Sequence, residues 1–140
     1  MLFRSRDAEQ QREYGSQPLP TELRSFDLRE VRALGVEAAI TRAVAHLTRP
    51  ELDGFFIHCD ADCLNDDIMP AVDYRLADGL LWHEFRGALE FALRSGKAAG
   101  LEITIYNPKL DRTGRAGRDL AKVLGDALGT RAPGGAYSFH

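Results

Sequence analysis

Six consecutive residues of this 140-residue chain combine the side chains most able to do chemistry: His58-Cys59-Asp60-Ala61-Asp62-Cys63. They follow a short apolar run, Gly54-Phe55-Phe56-Ile57, of strand length. Side chains alternate along an extended backbone, so Asp60 and Asp62 are expected on one side of the strand's exit, with His58 one step further in. Two carboxylates about 6 Å apart repel by ~3 kcal/mol at an effective dielectric of about 20, and a divalent cation between them turns that repulsion into attraction. Hard oxygen donors suit Mn²⁺, Mg²⁺ or Ca²⁺, and a nearby imidazole shifts the preference toward Mn²⁺ or Zn²⁺. Three other readings of the stretch stay open. Both aspartates can cap local turns and meet no metal. An EF-hand calcium loop opens on a similar Asp-x-Asp, but its glycine is missing, since Asn65-Asp66 occupies that region. A zinc site from His58, Cys59 and Cys63 lacks a second ligand pair.

The elements that must position these residues follow from period and punctuation. Residues 1–22 read as a polar arm or loop, with Gly15, Pro18 and Pro20 interrupting any pattern. Residues 23–26 form a short strand candidate, and Asp27 with Glu30 three residues on opens a helix. Val36, Ile40, Val44 and Leu47 continue a helical stripe after a break at Gly35. The run 54–59 is expected to be a strand buried on both faces of a parallel sheet. An Asp-rich loop of about twenty residues follows, a length that marks function or disorder in compact domains. A helix is expected over 81–94, with Leu81, Phe85, Ala88 or Leu89 and Ala92 inward and Gly96 as cap. Leu101, Ile103 and Ile105 alternate with Glu102, Thr104 and Tyr106 as a strand that Asn107-Pro108 stops. Thr113 caps a last helix with Leu120, Val123, Leu124 and Leu128 inward. Strand and helix alternate, so the expected fold is α/β with right-handed crossovers and a parallel sheet covered on both faces. A flexible tail is expected over 131–140.

Composition limits the class. Hydrophobic residues make up 44% and charged ones 28%, which fits one globular domain. The net charge of −3 supplies no electrostatic reason for nucleic acid or an anionic membrane as main partner. Cys59 and Cys63 are the only cysteines and stand four apart, so a reducing compartment is the simpler expectation. No apolar run approaches the roughly 20 residues of a membrane helix, and charge at Arg4 and Arg6 comes too early for a signal-peptide core. A soluble, cytoplasmic protein is expected.

A longer pattern surrounds the acidic exit. His58-Cys59-Asp60-Ala61-Asp62-Cys63-Leu64, then Met69-Pro70-Ala71-Val72-Asp73, then Gly79-Leu80 and Glu84, resembles the carboxyl-terminal signature of the ureohydrolases: arginase, agmatinase and formimidoylglutamase. Gly100-Leu101-Glu102-Ile103-Thr104-Ile105-Tyr106-Asn107-Pro108 is similar to that family's following strand and its Asn-Pro stop. The resemblance runs over about residues 23–128 and makes 23–130 the carboxyl-terminal half of an arginase-like domain. It implies a three-layer α/β/α architecture and two Mn²⁺ ions whose bridging hydroxide attacks a guanidinium-type carbon. By motif position Asp60 resembles the carboxylate that bridges both metals and Asp62 the one that binds a single metal. His58 is then a supporting group or an extra ligand, and Glu102 a structural or supporting one.

Departures from the pattern matter equally. Ile105 stands where guanidinium-binding arginases place a glutamate, which puts arginine in doubt as substrate. Asn65-Asp66 replaces an Asp-Pro, and Asp78 replaces the first glycine of a Gly-Gly-Leu. The family's other ligand strings, Gly-Gly-(Asp)-His and Asp-Ala-His-x-Asp, occur nowhere in the sequence. His46, His83 and His140 read as packed or solvated and do not replace them. The resemblance therefore implies a truncated ureohydrolase-type C–N hydrolase of guanidino or formimino compounds, inactive or weakly active alone. It also implies an unpaired sheet edge, homo-oligomerisation or a separate amino-terminal half. The competing reading is a non-catalytic interaction module that uses the exposed edge.

Overall fold

The computed structural model describes residues 2–3, 13–15, 17, 20, 23–75 and 77–129. The tail expected over 131–140 and most of the arm expected over 1–22 lie outside the described residues. Two residues of that arm belong to a strand: β1 (Leu2–Phe3) runs parallel to β2 (Ser25–Phe26), Leu2 opposite Ser25. Asp27 caps α1 (Leu28–Leu34), its Oδ1 accepting from the Glu30 amide at 2.7 Å. Gly35, at φ 83°, breaks the helix in a conformation that favours glycine, and α2 (Val36–Leu47) follows.

The central pair is β3 (Phe55–Asp60) and β4 (Ala98–Thr104), parallel, with Ile57 opposite Leu101, His58 opposite Glu102, and Asp60 opposite Thr104. The connection between them carries α3 (Trp82–Arg94), and α4 (Arg115–Gly129) comes after β4. Two apolar clusters hold these elements. In one, Leu64, Met69 and Val72 meet Phe85, Leu89 and Leu93 of α3 and Ala116 and Leu120 of α4, packed on Ile57, Cys59, Leu101 and Ile103. In the other, Phe26, Val31, Ile40, Val44 and Ala92 pack on Phe55 and Ile57. All four helices therefore cover the same face of the β3–β4 pair.

The α/β class with parallel pairing is as expected, but burial on both faces is not. Alternation puts Phe56, His58 and Asp60 on the side away from the helices, and Phe56 is 60% exposed. A strand with one bare face alternates instead of being uniformly buried. The loop expected over about 61–80 is also different: Met69 and Ala71 are fully buried, and Leu64 and Leu80 form a bridge closed by the Asn65 amide on the Leu80 carbonyl at 3.0 Å. After a single 3₁₀ turn at Ala61–Cys63 it is a core segment with no long helix or strand. Leu81 stands at the N-cap of α3 and Leu128 in the last turn of α4, where both are exposed, and Leu93 and Ala127 take the inward positions. Ile105 does not extend the strand alternation. Its φ of 70° turns the chain out of β4, and its side chain is 45% exposed.

Candidate functional site

β3 delivers His58 and Asp60 to the carboxyl end of the sheet, the end at which open α/β sheets bind ligands. Pairing with β4 sets Glu102 across from His58 and Thr104 across from Asp60. The four side chains form one hydrogen-bonded chain on the uncovered face. Glu102 Oε1 lies 2.5 Å from His58 Nδ1, and His58 Nε2 lies 3.1 Å from Asp60 Oδ1. The Thr104 hydroxyl donates to that same Asp60 oxygen. The hydrogen bond to Glu102 raises the His58 imidazole above its ordinary value of 6.5, partial desolvation works against it, and Asp60 adds to the rise.

Asp62 sits elsewhere than strand alternation implies. Directly after Asp60 the chain tightens into a 3₁₀ turn, Ala61–Cys63, so the two-residue period ends and Asp62 lies in the turn. Cys59 points to the helix-covered face, opposite His58, and burial followed by the nearby Asp60 charge pushes its thiol up to about 11. With Cys59 and His58 on opposite faces of β3, and no group of three or more His, Cys, Asp or Glu side chains arranged to hold a metal among the described residues, the zinc reading of His58, Cys59 and Cys63 finds no support.

Sequence reasoning placed Glu102 in a supporting role, and it is the partner of His58. Thr104 it missed, because nothing in a single strand's sequence states which residue of another strand stands opposite. Glu84 also does more than mark a motif. Its Oε2 accepts from the Leu81 amide at 2.8 Å, its Oε1 pairs with Arg32 of α1, and Arg32 in turn donates to the Gly79 carbonyl at 2.9 Å. A shallow depression of about 420 Å³ lies at the amino end of β3, lined by Asp53, Phe56, Gly96 and Lys97, away from the acidic exit.

Manganese fits these residues incompletely. Among the described residues no group of three or more His, Cys, Asp or Glu side chains is arranged to hold a metal ion. Asp60 already shares one oxygen between Thr104 and His58, and both imidazole nitrogens face carboxylates. His46, in the last turn of α2, and His83, in the first turn of α3, join no such group, and His140 lies outside the described residues. Asp60 and Asp62 can supply two oxygen donors, which alone do not make a two-metal centre. Among the described residues no helix is long and apolar enough to cross a membrane.

A family model described as the arginase family matches residues 3–129. The chain superposes on arginase from Bacillus caldovelox with a TM-score of 0.71 and 23% identity, covering 88% of this chain and 38% of that one. Agmatine ureohydrolase of Thermoplasma volcanium gives 0.69 and 23%, over 86% and 38%. Trypanosoma cruzi formiminoglutamase, whose structure contains Mn²⁺, gives 0.67 and 23%, over 77% and 37%. The chain thus spans about two fifths of the length of these structures. No curated protein matches.

Proposed function

The chain belongs to the arginase family, and we propose that it contributes Asp60 and Asp62 to a ureohydrolase-type site, a metal-dependent C–N hydrolase of guanidino or formimino compounds. The observation that carries this is the acidic exit itself: Asp60 ends the central strand of a family fold and Asp62 follows within one tight turn. Manganese is the metal this reading takes, supported by the oxygen donors and by its presence in a relative's structure. It would supply the water activation that the side chains here do not. The remaining donors and strands come, on this reading, from polypeptide carrying the Gly-Gly-(Asp)-His and Asp-Ala-His-x-Asp strings, and the chain alone is inactive or weakly active, in the cytoplasm. An apolar Ile105 at the exit supports a formimino or other non-arginine substrate.

The test has two arms. Calorimetry with Mn²⁺ is expected to show binding that the double substitution Asp60→Asn with Asp62→Asn abolishes, and unchanged affinity refutes the site. Release of urea, ammonia or formamide from a panel of guanidino and formimino compounds is expected only when a polypeptide carrying the two missing strings is added. Activity in neither condition favours the second reading, a non-catalytic interaction module, for which the exposed Phe56 on the bare sheet face speaks.

A further inference from the structure

Arg32 reaches from α1 to the segment that leads into α3. Its guanidinium donates to the Gly79 carbonyl at 2.9 Å and pairs with Glu84 Oε1, a forked contact that one planar group can make to two acceptors. Glu84 in turn accepts from the Leu81 amide at 2.8 Å, so a single arginine fixes both ends of residues 79–81. The acidic turn leans on that short segment. The Leu80 amide donates to the Cys63 carbonyl at 2.8 Å, the Asn65 amide donates to the Leu80 carbonyl at 3.0 Å, and Leu64 bridges Leu80 in parallel register. Contact is close enough to require glycine at 79, where a Cβ would collide with the Leu64 and Asn65 backbone. Asp62 lies in the turn Ala61–Cys63, and Cys63 is one end of the bridge. Val31, next to Arg32, is buried in one apolar cluster and Leu64 in the other, so the arginine joins the two by a polar contact.

We infer that Arg32 is a positioning residue for the Asp62 turn, acting through Gly79 and Leu80. Without it the 79–81 segment keeps its place in the chain but loses the anchor that presses it against Cys63 and Asn65. Its bearing on activity rests on the proposed reading of Asp62, whereas the contact itself involves neither metal nor substrate. A residue that only added stability would lower protection throughout the molecule alike.

The experiment follows amide hydrogen exchange by NMR in the 140-residue chain, for the native sequence, Arg32→Ala, Glu84→Gln and the double variant. In Arg32→Ala the Leu80 and Asn65 amides are expected to exchange at least about fivefold faster, the scale of one partly exposed charged contact, while the β3–β4 amides change by less than about twofold. Resonances of residues 61–63 are expected to shift alongside. Equal acceleration everywhere, or unmoved resonances in the turn, overturns the positioning role. Adding Arg32→Ala to Glu84→Gln is expected to accelerate Leu80 and Asn65 again, because the Gly79 contact does not pass through Glu84. No further acceleration assigns the effect to the start of α3 and overturns the inference. If Arg32→Ala fails to fold, Arg32→Lys, which keeps the charge without the planar fork, carries the same comparison. Failure of the hydrolase reading is seen elsewhere, as no activity with the completing polypeptide, and leaves these exchange rates unchanged.

Discussion

Ile105 concentrates a conflict between backbone and side chain. A β-branched residue at φ 70° is strained, because its Cβ crowds the neighbouring carbonyl, and such a conformation costs about 1–3 kcal/mol. Burial does not repay it, since the side chain is 45% exposed. What fixes the turn is its surroundings: Thr104 before it is tied to Asp60, and the Asn107 amide after it donates to the Ala71 carbonyl at 2.8 Å. Ile105→Gly is therefore expected to stabilise the fold by about 1 kcal/mol, raising the melting temperature by about 2–4 °C in a thermal scan. A lowered melting temperature contradicts this account of the strain. Asp78, at φ 64°, is less costly, because a short polar side chain tolerates the left-handed region.

At α3, one carboxylate organises a helix start and an interhelical contact. Burial pushes the Glu84 carboxyl up, but the Leu81 amide and the Arg32 guanidinium outweigh it and hold it below its ordinary 4.5. A depressed carboxylate contributes stability that is fully present above its ordinary value and is lost as pH falls through the folded one. Glu84→Gln is expected to flatten that acid limb in denaturation curves across pH 3–6, and Glu84→Ala to cost about 1 kcal/mol at neutral pH. Asp111 plays a similar part at α4, accepting from the Gly117 amide at 2.8 Å and the Tyr106 hydroxyl at 3.0 Å. The irregular stretch before α3 behaves as core. Met69 is fully buried, and Met69→Ala is expected to cost about 2–5 kcal/mol in chemical denaturation. A loss below about 1 kcal/mol shows instead that this segment is loosely held. Its burial was not legible beforehand, because Leu64, Met69, Ala71 and Val72 follow neither a helical nor a strand period.

Taken as a molecule, the described residues form two separate two-stranded parallel sheets, and helices pack on one face of the β3–β4 pair. Two strands alone are marginal, and a face carrying Phe56 beside His58 and Glu102 is left open to solvent. The chain also spans about two fifths of the arginase and agmatine ureohydrolase structures it matches. Polypeptide carrying the two missing strings is therefore expected to stabilise the chain on binding, by about 2.7 kcal/mol at a hundredfold excess over Kd. A thermal scan with and without it reads this directly, and an unmoved transition at saturation contradicts the completed-site reading.

Local chemistry was enough to indicate much of this protein. The Asp27 cap, the Gly35 break and the strand ending at Asp60 depend on neighbours within a few residues, and the longer pattern from His58 through Pro70-Ala71 and Gly79-Leu80 to Asn107-Pro108 pointed to the family, although the strand before it ends at Thr104 and not at Asn107. Three features came only with the tertiary structure: Thr104 and Glu102 as partners of Asp60 and His58, Arg32 as partner of Glu84, and the bare face of the sheet. Each depends on strand register or on what packs against a strand. Those are contacts between residues 44 to 52 positions apart in the paired cases, and no local period encodes them.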